Sequence, residues 1–294
     1  MVVCAFRGNC FVWNILFLSK EKVKMTVEIP CNYNPFQLNV LVESHTPIAL
    51  RIVAVDPNKP SSRYIDRTTK LDGKRKYELK FPVTPKKLVL SVYNAENGDL
   101  PYGDDPTFDV VDMKVSKVKE YDVWWNQDTK NFYNFAVEFS QNAGILSAGD
   151  KKPHIYRSDD GKFTIDYYNV IYDKQTNRKL TTPARIGHNS GIIEVSKSKF
   201  LEYTIPMRLI ILLHEYAHKY LNPKIKRPIN YETGADIQAL YVYLGKGWSP
   251  FEAHKSFLKV FKIANGEANH KRYKIIRDFI IKYDRGEVSD LKKR

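Results

Sequence analysis

Between Met25 and about Glu120, apolar and polar residues alternate in short runs: "FQLNVLVES", "IALRIVAVD", "KRKYELKFPV", "KLVLSVYNA" and "FDVVDMKVSKV". A period of two places successive side chains on opposite faces of a strand, and β-branched and aromatic residues fit that pleated surface. Asp-Pro-Asn, Asp-Gly, Asn-Gly-Asp and Gly-Asp-Asp interrupt the runs. These residues favour turns because they tolerate positive φ or bond to their own backbone. Strands at this spacing, with no helical period between them, predict a β-sandwich of immunoglobulin-like or jelly-roll type over residues 25–120.

After "YDVWW" the period changes. "NQDTKNFYNFAVEFSQNAG" sets apolar residues at 132, 135, 136 and 139 on one helical face and ends at Gly144. Two strand-like segments follow, "KFTIDYYNVIYD" and "ARIGHNSGIIEVS". The rest reads as helices over Pro206 to Asn222, Tyr231 to Leu244, Pro250 to Asn265 and Glu267 to Tyr283. Ser249, Pro250 and Glu252 form a capping box with proline at the first helical position, and Gly266 closes that helix. The fold class this predicts is α+β, a β-sandwich followed by a mostly helical domain at residues 121–294.

A length of 294 residues suits two domains, and 43% hydrophobic with 13% aromatic residues excludes a mainly disordered chain. Lys and Arg exceed Asp and Glu by 47 to 33, a net charge of +14 that draws polyanions. The basic residues are dispersed in groups such as "KLDGKRKYELK" and "HKRYKIIR" with acids interleaved. That pattern reads as a solvated surface and leaves nucleic acid as a secondary partner. Cys4, Cys10 and Cys31 all lie near the start, so no disulfide framework holds the later domain.

No apolar run reaches the roughly 20 residues of a transmembrane helix, and a soluble protein is expected. "CFVWNILFLS", flanked by Arg7 and "KEKVK", has the form of a short signal-peptide hydrophobic region without a small-residue cleavage site. Residues 1–24 are therefore expected to be a leader, a packing arm or an over-extended start before Met25. Asp99, Asp104 and Asp105 offer oxygen ligands for calcium but lack a regular ligand spacing, so turn chemistry is their expected role. Trp124 and Trp125 are expected to pack at the domain junction.

Chemistry concentrates in "ILLHEYAHKYLNP", Ile211 to Pro223. A helix turns about 100° per residue, so His214 and His218 lie about 40° apart and one turn along the axis, within reach of one ion. Met207, Ile210, Ile211, Ala217 and Leu221 share their stripe, while Leu209, Leu212, Leu213, Tyr216 and Tyr220 cover the opposite side. A helix apolar on nearly all sides is buried, and Glu215 inside it would be costly without a cation. In "NYETGADIQALYVYLGKG", Glu232 and Asp236 stand at i and i+4 on one face. Glu232 can supply a third ligand, and Asp236 can accept from the outer nitrogen of one histidine and fix its tautomer.

Three protein ligands leave a fourth position for water, whose pKa falls to about 7 on zinc. Glu215 is then placed to take the water's proton and deliver it to a leaving amine. An oxyanion donor is also needed, with His188 first in order, then Tyr231 and Tyr241. His254 and His270, on later helices, are alternatives to Glu232 as third ligand.

H-E-Y-A-H followed by E-T-G-A-D resembles the gluzincin branch of zinc metallopeptidases, over about Leu209 to Gly247. The resemblance implies a zincin-like domain, a zinc cofactor and hydrolysis of a peptide or protein substrate. It implies His214, His218 and Glu232 as ligands, Glu215 as general base and Asp236 as the carboxylate behind a ligand histidine. It also implies "GHNSGIIEVS" as an edge strand along which a peptide lies. The connection from His218 to Glu232 is shorter than in many gluzincins. Lys224 stands where a metzincin would need a histidine. Two further readings remain open. One is a structural or adaptor protein, such as a phage virion component using a zincin-like domain for assembly or envelope penetration, with the β-sandwich binding a protein partner. The other is a protease recruited to nucleic acid by its charge.

Overall fold

The computed structural model of the chain describes residues 16–19, 24–97, 107–119, 126–187, 189–220, 231–261 and 266–288. The chain divides into two compact units, Met1–Lys119 and Glu120–Arg294. Together they make an α+β protein in which antiparallel and mixed sheets accompany helices. Among the described residues no helix is long and apolar enough to cross a membrane. The expectations for Asp99, Asp104, Asp105, Trp124 and Trp125 fall outside the described residues.

The first unit contains β1 (Leu16–Ser19), β2 (Lys24–Pro30), β3 (Phe36–Asp56), β4 (Lys59–Phe81), β5 (Lys87–Asn94) and β6 (Phe108–Ser116). Hydrogen bonds join them in the order β1-β2-β5-β3-β4, with β6 also on β3. β1, within the segment expected to be a leader or arm, pairs antiparallel with β2. The runs "FQLNVLVES" and "IALRIVAVD" are one strand rather than two. Phe36, Leu38, Val40 and Val42, then Ile48, Leu50, Ile52 and Ala54, are buried along β3. The register shifts between Ser44 and Ile48, opposite the Asp72-Gly73 turn signal, where Gly73 has a φ of +71°. The turn residues therefore mark a bend inside the long hairpin and not its end.

The bend brings β4 back on itself. Tyr64 and Phe81 have ring centroids 6.5 Å apart, and Arg67 Nη1 donates to the Glu78 carbonyl at 3.4 Å. A straight strand would separate Tyr64 from Phe81 by roughly 55 Å at about 3.3 Å per residue.

The second unit begins with α1 (Gln127–Asn142), β7 (His154–Arg157), β8 (Thr164–Tyr168), β9 (Ala184–Ile186) and β10 (Ile193–Ser196). It continues with α2 (Lys197–Phe200), α3 (Ile205–Tyr220), α4 (Tyr231–Gly245), α5 (Pro250–Ser256), a π-helical turn over Phe257–Phe261, and α6 (Glu267–Asp284). Its sheet runs β7-β8-β10-β9, with β8 and β10 parallel. "ARIGHNSGIIEVS" is a hairpin rather than one strand: Gly187 N–H donates to Ile192 O at 3.0 Å, and Gly191 N–H to Gly187 O at 2.7 Å. The "GHNSGIIEVS" expectation is corrected accordingly. Its strand, β10, lies between β8 and β9, and the outer strands among the described residues are β7 and β9.

α3 packs against α1, α4, α5, β9 and β10, and every residue from 205 to 214 is buried. α1 starts at Asn126, whose side chain accepts from Thr129 N–H at 2.8 Å. Its Phe132 stacks on Tyr216 of α3 with centroids 4.2 Å apart. Arg208, inside α3, is 0% exposed and donates to Phe200 O at 3.1 Å and Ser140 O at 3.0 Å. Those carbonyls belong to the last turns of α2 and α1, where helix carbonyls lack intrahelical donors and the dipole is negative. A buried cation thereby fastens two helix ends to α3.

Two measurements follow. Arg208→Ala leaves those carbonyls without a donor in a dry site, so denaturant unfolding of the full chain should show a loss of about 3 kcal/mol or more. A loss below about 0.5 kcal/mol, the range of ordinary surface changes, would contradict that role. Residues 25–119 expressed alone should give dispersed amide signals, since their core is built from their own strands; a collapsed spectrum would contradict this.

Candidate metal centre

The last turns of α3 carry His214 and His218, whose ring centroids lie 4.5 Å apart with planes at 87°. Their Nε2 atoms face each other at 2.9 Å. The first turn of α4 brings Glu232, with Oε2 at 3.4 Å from His214 Nε2 and Oε1 at 3.5 Å from His218 Nε2. Four ligands set tetrahedrally at about 2.05 Å from one ion lie about 3.3 Å from each other. The two Nε2 atoms at 2.9 Å, and the two Glu232 oxygens at 3.4 and 3.5 Å from one histidine each, are close to that value, and one ligand atom from each residue lies within 4.8 Å of the others, so the three side chains are near enough to share an ion. His214, His218 and Glu232 form a group that can hold a metal. The histidine side chains are 4% and 8% exposed and Glu232 is 49% exposed, so the group opens to solvent on the glutamate side.

Asp236, one turn after Glu232, is 0% exposed, and its Oδ1 lies 2.8 Å from His214 Nδ1. A carboxylate only accepts, so Nδ1 carries a proton, and Nε2 is the nitrogen that offers a lone pair to the group once the second ring proton is lost. Arg272 of α6 completes the cluster. Its Nη2 donates to Asp236 Oδ1 at 2.8 Å, its Nε pairs with Asp236 Oδ2, and its Nη1 lies 3.4 Å from Glu232 Oε2. Sequence reasoning did not single out Arg272. The signal was present: positions 272, 276 and 280 share one helical face, and Ile276 and Ile280 are buried. An arginine continuing an apolar stripe needs a buried anion.

Burial disfavours charge on His214, but the carboxylates of Asp236, Glu232 and Glu215 outweigh it and raise its pKa to about 9. The hydrogen bond from His214 lowers Glu232 to about 2, against the effect of burial, and His218 and Arg272 add to the lowering. Glu215 is half-buried, and its charge acts on both His214 and Arg272. An anionic pocket of this kind concentrates positive charge, whether protons or a metal ion.

The other expected residues separate from this group. His188 and the Tyr231 side chain lie outside what is described. Tyr241 is half-buried, farther along α4. His254 Nε2 lies 2.7 Å from Tyr273 Oη, and His270 is exposed; neither belongs to the metal group among the described residues. Two cavities, of about 300 Å³ between α1 and β7 and about 750 Å³ beside Tyr168, Tyr172 and Glu194, do not include the group either. No protein-family model and no curated protein sequence matches the chain.

Because the ion-free pKa of His214 is raised, its proton competes with a metal below pH 9 or so. Metal binding near pH 7.5 should therefore release about one proton per ion, and apparent affinity should fall about tenfold per pH unit on acidification. The release is measured by titration calorimetry in buffers of different ionisation enthalpy; no release would contradict the assignment. The sign for folding runs the same way. The stability that the His214 proton contributes to the ion-free protein is fully present below the unfolded pKa of 6.5 and is lost as pH rises through about 9.

Proposed function

We propose that the Glu120–Arg294 unit is a zinc-dependent metallopeptidase of gluzincin type with a mostly helical, zincin-like fold. The observation that carries this reading is the convergence of His214, His218 and Glu232 with a buried carboxylate behind His214. Two imidazoles and one carboxylate are a donor set used by hydrolytic zinc. Bound there, zinc would lower the pKa of a water to about 7 and polarise a substrate carbonyl.

The chain's own residues supply the rest. Glu215 follows His214 directly, turned about 100° from it around α3, and is left outside the ligand set. Its role is to accept the attacking water's proton and pass it to the leaving amine. Asp236 keeps the His214 proton on Nδ1, which leaves Nε2 as the ligand atom. His188, which follows β9 in sequence, is the proposed donor to the oxyanion. β9, next to α3, offers a strand edge to which a peptide substrate can add as a further strand. The first unit is proposed to be a β-sandwich that positions the peptidase on a partner or substrate; the return of β4 on itself supports that architecture.

Glu215→Gln separates an enzyme from a scaffold. The substitution keeps size and hydrogen bonding but removes the base, so zinc content and unfolding should match wild type. Hydrolysis of an unfolded protein or a peptide library should fall by about 10² or more. Wild type and variant equally inert, with one zinc in each, would contradict catalysis and leave a structural role.

A further inference from the structure

Arg272 comes from α6, far along the chain from the histidines, yet its side chain is only 11% exposed. A guanidinium carries five N–H groups in a rigid planar fork. Here the fork is divided. Nε and Nη2 face the two oxygens of Asp236, and Nη1 faces Oε2 of Glu232. One side chain therefore touches both the carboxylate behind His214 and the carboxylate ligand.

We propose that Arg272 is a positioning residue of the metal centre, one that sets the coordination its ligands can offer. This rests on the metal reading above. With both oxygens of Asp236 engaged, the carboxylate plane is held so that Oδ1 meets His214 Nδ1. Oε2 of Glu232 stands 3.4 Å from both Nη1 and His214 Nε2, so the guanidinium competes for that oxygen, whereas Oε1, 3.5 Å from His218 Nε2, is the oxygen left for an ion. A carboxylate offering both oxygens occupies two positions around a metal, and one offering a single oxygen leaves a position open for water. Arg272 thus favours the four-coordinate arrangement that hydrolysis needs.

A fastener of α6 would be the plainer role, but the helix has other anchors. Ile276, Ile280 and Tyr283 are buried, Tyr283 Oη donates to the Leu244 carbonyl, and Tyr273 Oη lies 2.7 Å from His254 Nε2. These contacts dock α6 without a divided fork between two carboxylates.

Co²⁺ serves as a visible probe in the full-length protein. Wild type should bind one Co²⁺ per chain with the intense absorption of a four-coordinate ion. Arg272→Lys keeps the charge but cannot span both carboxylates. It should keep the circular dichroism of the ion-free fold, bind Co²⁺ about 10-fold or more weakly, and show weaker visible bands as coordination number rises. Arg272→Gln, which retains hydrogen bonding without charge, should change the bands in the same direction. A folded variant with wild-type affinity and spectrum overturns the proposal, and so does loss of the fold in both variants, which would make Arg272 a fastener. Wild type that binds no Co²⁺ removes the metal reading itself, an outcome visible before any variant is examined.

Discussion

A carboxylate with no solvent exposure must be met by cations or stay protonated, and Asp236 is met from two sides. His214 approaches from α3 and Arg272 from α6, while Asp236 itself stands on α4. Three helices that are distant in sequence are thus held to one point by charge that has nowhere else to go. Removing one partner from such a buried pair typically costs about 3–5 kcal/mol, because the other charge is left unsolvated. The same contacts give the site its chemistry. A proton fixed on Nδ1 makes Nε2 the nitrogen that gives up its proton to bind an ion, and the helical step from Asp236 back to Glu232 places a second carboxylate one turn away, facing the histidines.

The histidines can be placed this closely because the rest of α3 is locked. Its first ten residues are buried between helices and sheet, with Arg208 satisfied by carbonyls at the ends of α1 and α2. Among the described residues, exposure appears only beyond them, at Glu215, His218 and Lys219. Helix C-termini carry partial negative charge, which favours a cation there, and Glu232 lies in the first turn of α4, where the dipole favours an anion. Two helix ends of opposite sign therefore meet around the group, one contributing imidazoles and the other a carboxylate.

Much of this was legible in the sequence, for physical reasons that differ by element. The α3 and α4 helices show their period, and the i, i+4 spacings of His214 with His218 and of Glu232 with Asp236 lie within single helices, so helical geometry alone relates each pair. The register between the two helices is tertiary and was reached through chemistry rather than period. Arg272 was missed because its partners lie on other elements, and a charged residue in "HKRYKIIR" reads as surface until the burial of Ile276 and Ile280 is known. The sheets were harder. The early part of β4 hides its alternation because polar Ser62 and Arg67 occupy buried positions. Asp72-Gly73 looked like a strand end and is a bend, while the glycines at 187 and 191 turned one apparent strand into a hairpin. Turn residues report a local change of backbone direction and do not say whether pairing stops there.

The central claim is that one ion is held by two imidazoles and one carboxylate, with a position left for water. X-ray absorption at the zinc edge of protein loaded with one equivalent tests it most directly. The account predicts about four nitrogen or oxygen ligands at about 2.0–2.1 Å, with outer-shell scattering from two imidazoles. A sulfur ligand, a shell of six oxygens or fewer than two imidazoles would contradict it.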